Sequence, residues 1–341
     1  MSRKSPPKEI GVLGAGSWGT ALAAYLAGTR FSVRLWAKRP ELVHELSTTK
    51  ENRAYLPGVR LPTSIEASSS LEDLAGLDLV LVVVPSHGFR EVVRDFLRLA
   101  DHPVTLISAT KGIEGGSHDR MSEVTAQEAA SIGRPVQFAV LSGPTFAAEL
   151  AAGVPSAAVV AADTEAVATQ LSQLISSPRL RLYSSTDVAG VEFGGATKNV
   201  IAIAAGVVTG LGFGHNTLAA LITRGLHEAV RLGVECGGSA ETYYGLAGLG
   251  DLVLTCTGGL SRNRKTGLEL AAGKTLAEIE AETAMVAEGV RNSRSISSLA
   301  ALKNIEMPIT EQMMAVLYDG KSPQTAVEEL MTRDLKPEAQ L

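Results

Sequence analysis

A short, largely apolar run from Glu9 to Leu13 leads straight into Gly14-Ala15-Gly16-Ser17-Trp18-Gly19, and Thr20 to Leu26 then reads as a helix ended by Gly28. The order strand, glycine turn, helix leaves few folds open. In a dinucleotide-binding unit the first glycine permits the tight turn and the second lets backbone approach a pyrophosphate. The third lets helix and strand pack closely, and the helix N-terminus faces the phosphates. Gly14, Gly16 and Gly19 fit those places, with Ser17 and Trp18 beside them as further cofactor contacts. A glycine-rich turn without a ligand is the competing reading, and the flanking strand and helix argue against it.

The second strand, Ser32 to Trp36, bears on which dinucleotide is bound. An NAD-selective site places Asp or Glu about 20 residues after the glycine turn, against the ribose hydroxyls. No carboxylate occurs between Gly14 and Glu41, and Lys38 and Arg39 stand where a 2′-phosphate would lie. NADPH is therefore expected to be accepted as well as NADH, with Lys38 as a contact, unless both cations merely solvate a loop.

The apolar runs Leu77 to Val84, Val104 to Ser108, Val136 to Leu141, Ala157 to Val160 and Leu180 to Tyr183 repeat the signature of strands covered on both faces. Helical intervals between several of them predict an α/β unit, a doubly wound and mainly parallel sheet with ligands beyond its carboxyl ends. After about residue 188 the rhythm changes. Val188 to Val208 reads as one long buried helix, Asn216 as the cap of a helix over Thr217 to Leu232, and Gly233 as its stop. Helices are also predicted around 287–302, 311–317 and 323–331, the last with Ser322 as cap and Pro323 in its first turn. The expected organisation is a dinucleotide-binding domain over 1–188 and an all-helical substrate domain over 189–341.

A chain of 341 residues with 45% hydrophobic content suits two such domains. Its net charge of -5 and scattered basic residues give no nucleic-acid groove. Cys236 and Cys256 do not form a CxxC pair, and neither His87 nor His215 has a partner at metal-ligand spacing, so no metal is assigned. Met1 to Glu9 has no apolar leader-like region, and no stretch convincingly supplies the roughly 20 apolar residues of a membrane span. A cytoplasmic protein without stable membrane association is expected, with a homodimer as the default assembly.

Lys198 lies in Gly194-Gly195-Ala196-Thr197-Lys198-Asn199, after the complete dinucleotide-binding half and at the opening of the helical half. A buried lysine there is a candidate proton-transfer group, because burial disfavours the ammonium and moves its pKa towards neutrality. The competing reading is a lysine that snorkels from a helix to solvent.

Eight blocks carry a family resemblance across nearly the whole chain: 14–23, 84–86, 110–112, 142–147, 194–203, 220–225, 248–252 and 261–263. Together they resemble the bacterial NAD(P)-dependent glycerol-3-phosphate dehydrogenases. The resemblance implies reversible reduction of dihydroxyacetone phosphate to sn-glycerol 3-phosphate, the precursor of phospholipid backbones. It implies Lys198 as the base and Asp251 in the substrate site, with Lys111 polarising the carbonyl or touching substrate and cofactor. Ser261, Arg262 and Asn263, before an expected helix over Thr266 to Ala272, would converge on the substrate phosphate, and Arg262 would also reach the cofactor. Gly143 and Thr145 would line the substrate, while Ala147, Val286 and Glu288 would touch the nucleotide. Thr197, Thr209 and His215 depart from the family's pattern, none at a proposed catalytic position. A dehydrogenase of another hydroxy acid or phosphorylated hydroxy compound is the nearer alternative. A nucleotide-binding regulator without catalysis is the more distant one.

Overall fold

The computed structural model describes residues 8–282, 288–335, 337 and 338. Among the described residues before 188 there are ten strands: β1 (Glu9–Leu13), β2 (Ser32–Trp36), β3 (Glu51–Asn52), β4 (Leu56–Arg60), β5 (Ile65–Ser68), β6 (Leu79–Val82), β7 (Val104–Ser108), β8 (Val136–Ser142), β9 (Ser156–Ala162) and β10 (Leu180–Ser185). Eight of them form one sheet in the order β10-β9-β8-β7-β6-β1-β2-β5, while β3 and β4 pair as a separate antiparallel ribbon. β1 pairs in parallel with β2 on one side and with β6 on the other. The chain order reverses there, so the carboxyl end of β1 is the switch point at which such sheets bind ligands.

Continuous apolar runs form the centre of this sheet because both of its faces are covered. All four residues of β6 are buried, as are four of five in β1. One pair departs from the parallel expectation, since β8 and β9 run antiparallel. A parallel crossover normally carries a full helix, and between these strands the chain forms only the five-residue helix Ala147–Ala151.

Two compact units divide the chain. The first runs to Thr110 and resumes over Asp119–Val188; the second holds Lys111–His118 and everything from Ala189 onwards. The short segment after β7 thus belongs with the helical unit, although its neighbours in sequence belong with the sheet.

The second unit is built around the helix Val188–Gly210. This helix is long and apolar enough to cross a membrane, yet its whole apolar window is buried within the protein. A helix hydrophobic all round is the core of a helical domain. Glycine serves close packing here, since a Cβ on Gly206 would lie 2.8 Å from the Cα of Gly267 in the helix Arg262–Ala271. Thr197 and Thr209 fit by donating their hydroxyls to the carbonyls of Phe193 and Ala205, each at 2.8 Å.

The next helix departs from its expected bounds at both ends. It spans His215–Glu235 and is capped by the extended backbone of Gly214 with no side-chain cap, so Asn216 lies inside the first turn. Gly233 does not stop it, and a Cβ at that position would fall 1.5 Å from the hydroxyl oxygen of Tyr243. Glycine is there to let an aromatic ring approach. Further along this helix, buried Glu228 accepts the backbone N–H groups of Ile309 and Thr310 at 2.5 and 3.2 Å and so caps the helix Pro308–Tyr318 from outside. Burial pushes its carboxyl up to about 7, against the lowering pull of those backbone donors. Ser322 caps the helix Pro323–Met331 through the N–H of Thr325, as its sequence pattern predicts.

Candidate active site

The glycine turn occupies the carboxyl end of β1. Gly14 has φ +116°, which an L side chain rarely adopts, and a Cβ on Gly19 would sit 1.8 Å from the carbonyl oxygen of Gly14. At Gly16 the opposite holds, because a Cβ would meet no described atom within 4 Å apart from its chain neighbours. Gly16 is also the extended N-cap of the helix Ser17–Ala27, with no side chain capping it. The first-turn N–H groups of that helix, its uncapped N-terminus and the room above Gly16 fit the pyrophosphate of a dinucleotide.

Ser17 and Trp18 flank this cradle. The Ser17 hydroxyl donates to the carbonyl of Tyr55 at 2.6 Å, which ties the start of the helix to the segment between β3 and β4. Trp18 Nε1 is buried with no hydrogen-bond partner among the described residues. Of the two cations after β2, Lys38 is exposed and 3.6 Å from the Glu91 carboxylate, which offsets its charge. Arg39 is the better-held cation: it donates to the Tyr55 hydroxyl at 3.0 Å and stacks 5.6 Å from that ring's centre. Sequence reasoning found Arg39 but not Tyr55, whose place beside it depends on the β3–β4 ribbon. Gly143 and Thr145 follow β8, where a Cβ on Gly143 would lie 2.7 Å from the Ala158 Cα and the Thr145 hydroxyl donates to the Gly143 carbonyl at 3.3 Å. Ala147 is the first residue of its short helix.

In the second unit, three sequence-distant charges converge. Lys198, from the central helix, donates to Asp251 Oδ1 at 2.5 Å and to the Thr255 hydroxyl at 2.9 Å. Lys111 donates to the other carboxylate oxygen, Asp251 Oδ2, also at 2.5 Å. Asp251 and Thr255 sit one turn apart on the helix Asp251–Thr257, so both face the same ammonium. Lys198 and Asp251 are buried and Lys111 is half-buried. Burial pushes the Lys198 ammonium down to about 8; the Asp251 carboxylate opposes this and the Lys111 charge adds to it. Burial alone would raise the Asp251 carboxyl, but the two ammonium groups outweigh it and hold Asp251 below the usual carboxylate value. Lys198 is therefore no snorkelling surface lysine. Nothing in the sequence singled out Thr255; its only signal is the i, i+4 spacing to Asp251.

The expected phosphate anchor lies at the start of a helix. The helix begins at Arg262 rather than Thr266, and Ser261 is its N-cap, accepting the Arg264 N–H at 3.2 Å. The Asn263 side chain is engaged within the unit: it donates to Asn199 Oδ1 at 2.9 Å and accepts the Gly289 N–H at 3.1 Å. Ser261 and Asn263 thus hold the helix start in place, and Arg262 is the exposed member of the three. Glu288 opens the helix Glu288–Leu302, half-buried, and Val286 lies outside the described residues.

Comparison with known proteins agrees with both halves. Residues 9–168 match the family described as NAD-dependent glycerol-3-phosphate dehydrogenase N-terminus, and residues 187–328 match its C-terminus. A glycerol-3-phosphate dehydrogenase [NAD(P)+] of Geobacter sulfurreducens is 49% identical over 97% of this chain and 99% of its own length. One from Nitratidesulfovibrio vulgaris is 49% identical over 97% of this chain and its full length. The crystal structure of glycerol-3-phosphate dehydrogenase from Coxiella burnetii superposes with a TM-score of 0.91 at 41% identity, covering 96% of this chain and 99% of that one. With both halves matched and identity near one half from end to end, this chain belongs to the NAD-dependent glycerol-3-phosphate dehydrogenase family.

Proposed function

We infer that this protein reversibly reduces dihydroxyacetone phosphate to sn-glycerol 3-phosphate with NADPH or NADH, supplying glycerophospholipid synthesis. The observation that carries the reading is the cluster of buried Lys198 and Asp251 with half-buried Lys111, in a chain whose other half has the dinucleotide glycine turn. The nicotinamide, when bound, supplies or accepts the hydride. Gly14, Gly16 and Gly19, with the N–H groups of Ser17 and Trp18, would hold the pyrophosphate, and Lys38 and Arg39 would face a 2′-phosphate. Ala147, Glu288 and Val286 are proposed as further nucleotide contacts by family correspondence, and Gly143 and Thr145 as substrate contacts.

The remaining chemistry is proton transfer and charge. Two of the three Lys198 N–H groups are taken by Asp251 and Thr255, leaving one for a substrate oxygen. In reduction this ammonium donates its proton to the carbonyl oxygen as the hydride reaches carbon; in oxidation the neutral amine accepts the hydroxyl proton. Asp251 fixes the direction of Lys198 and balances its charge, while Lys111 adds positive potential where the oxygen becomes anionic.

Mixing purified protein with dihydroxyacetone phosphate and NADPH, and separately NADH, tests the activity through loss of nicotinamide absorbance. Oxidation that requires the phosphorylated substrate is expected. NADPH binding without turnover would point to another hydroxy compound or to a regulator.

Because the Lys198 pKa lies at about 8, ketone reduction should decline as pH rises through that value, while alcohol oxidation should climb. Initial rates in both directions across the range check this, and parallel profiles would exclude Lys198 as the titrating group. Arg262 is the proposed phosphate partner, placed at the first turn of its helix. Arg262→Ala should raise the KM for dihydroxyacetone phosphate by roughly tenfold or more, as loss of a charge-assisted bond does. An unchanged KM would remove Arg262 from phosphate binding.

We further propose that the protein acts in the cytoplasm as a homodimer without stable membrane association. The chain has two cysteines and no CxxC pair, the one helix among the described residues that is long and apolar enough to span a membrane is internal, and two-fold pairing is the commonest assembly. Light scattering of the purified protein measures the dimer directly.

A further inference from the structure

Asn52 lies in β3, outside the sheet and outside every motif read from the sequence, yet it is fully buried. Its amide nitrogen donates to the Ala15 carbonyl at 3.0 Å and to the Thr20 hydroxyl at 2.7 Å, and its amide oxygen accepts the Tyr55 N–H at 3.1 Å. Those partners leave no choice of residue. Ala15 presents an acceptor and Tyr55 a donor, so the side chain must carry two N–H groups on one arm and an oxygen on the other. Aspartate would put oxygen against oxygen, and serine has one proton to give.

We propose that Asn52 is a positioning residue for the cofactor pyrophosphate, acting through the peptide between Ala15 and Gly16. This rests on the dinucleotide reading of the glycine turn. In a planar trans peptide the C=O and N–H point in opposite directions. Holding the Ala15 carbonyl on Asn52 therefore turns the Gly16 N–H away from Asn52. The room above Gly16 stays clear, since apart from its chain neighbours no described atom lies within 4 Å of a Cβ built there. A second tether comes from the same ribbon, where the Tyr55 carbonyl accepts the Ser17 hydroxyl at 2.6 Å. The β3–β4 ribbon thus braces the turn at Ala15, Ser17 and Thr20 before any ligand arrives. Preorganisation of this kind lowers the ordering cost of binding.

The test uses the full chain with Asn52→Asp and Asn52→Ser, titrated with NADPH, with ADP-ribose, which carries the pyrophosphate, and with adenosine 2′-monophosphate, which lacks it. Affinity for NADPH and ADP-ribose should fall by roughly tenfold or more, the effect of an unmet buried polar group. Binding of adenosine 2′-monophosphate, kcat at saturating cofactor and KM for dihydroxyacetone phosphate should all stay within about twofold. Unchanged NADPH affinity, or equal losses for all three ligands, would overturn the proposal. Should both variants fail to fold, Thr20→Val removes one of the two acceptors and should weaken the pyrophosphate ligands selectively; equal losses there, or none, would overturn it too. A wild-type protein that bound no NADPH would sink the cofactor reading itself, and this proposal with it.

Discussion

Replacing Lys198 with alanine is expected to cut turnover by about 10²- to 10⁴-fold, the range over which a positioned proton donor acts, with little change in NADPH affinity. The split follows from where Lys198 stands. Its ammonium meets Asp251 and Thr255 in the second unit, whereas the glycine turn belongs to the first. Stability should suffer less than the loss of a buried ion pair usually implies, because Asp251 keeps Lys111 at 2.5 Å. Lys198→Arg should not restore activity, since a guanidinium holds its proton throughout the working range. Single-turnover rates and NADPH titration of both variants decide the matter. Wild-type rates in the alanine variant would end the proton-transfer assignment, and a parallel loss of NADPH affinity would make Lys198 a structural residue.

Asp251→Asn should have the larger structural cost. Asp251 is buried between two ammonium groups, and an amide in its place removes the compensating charge and turns one N–H arm towards a donor. Breaking a buried charge cluster in this way costs about 3 kcal/mol or more, roughly 6–12 °C in Tm for a unit of this size. Chemistry should change in a defined direction. Asp251 raises the Lys198 pKa, so its loss lets burial and Lys111 push that pKa below about 8. The alkaline decline in ketone reduction should then move to lower pH.

Stability carries the same signature. Lys198 is depressed in the folded state relative to its ordinary 10.5, so the unfolded chain binds the extra proton between those values and stability rises with pH across that window. In wild type the window opens at about 8, and in the variant it should open lower. Thermal unfolding and pH–rate profiles between about pH 6 and 10 test both statements. An alkaline limb that stayed in place would mean that Asp251 does not govern Lys198.

Legibility in the sequence tracked how local each feature is. The glycine turn could be read because Gly14, Gly16 and Gly19 act within one strand-to-helix turn, and the sheet could be read because buried strands write themselves as apolar runs. The direction of β9 could not, since an apolar strand looks alike whichever way it runs and only the short connection from β8 decides it. Lys198 stood out by its place after the dinucleotide-binding half, whereas its role as base, and the roles of Asp251 and Arg262, came from family blocks rather than from any local pattern. Ser261 and Asn263 were found in the same way, and their contacts at the start of a helix could not be read from the sequence.

What the chain determined by itself was therefore its order of elements, the phosphate-binding turn and the identity of its reactive side chains. Periodicity and turn chemistry depend only on near neighbours. Tertiary structure alone decided that Lys111 and Lys198 share the Asp251 carboxylate across separations of 140 and 53 residues, and that Asn52 reaches back 37 residues to Ala15. Those contacts have strength because folding removes the groups from water. A lysine has a pKa near neutrality, and an asparagine an obligatory set of partners, only once the fold has buried them together.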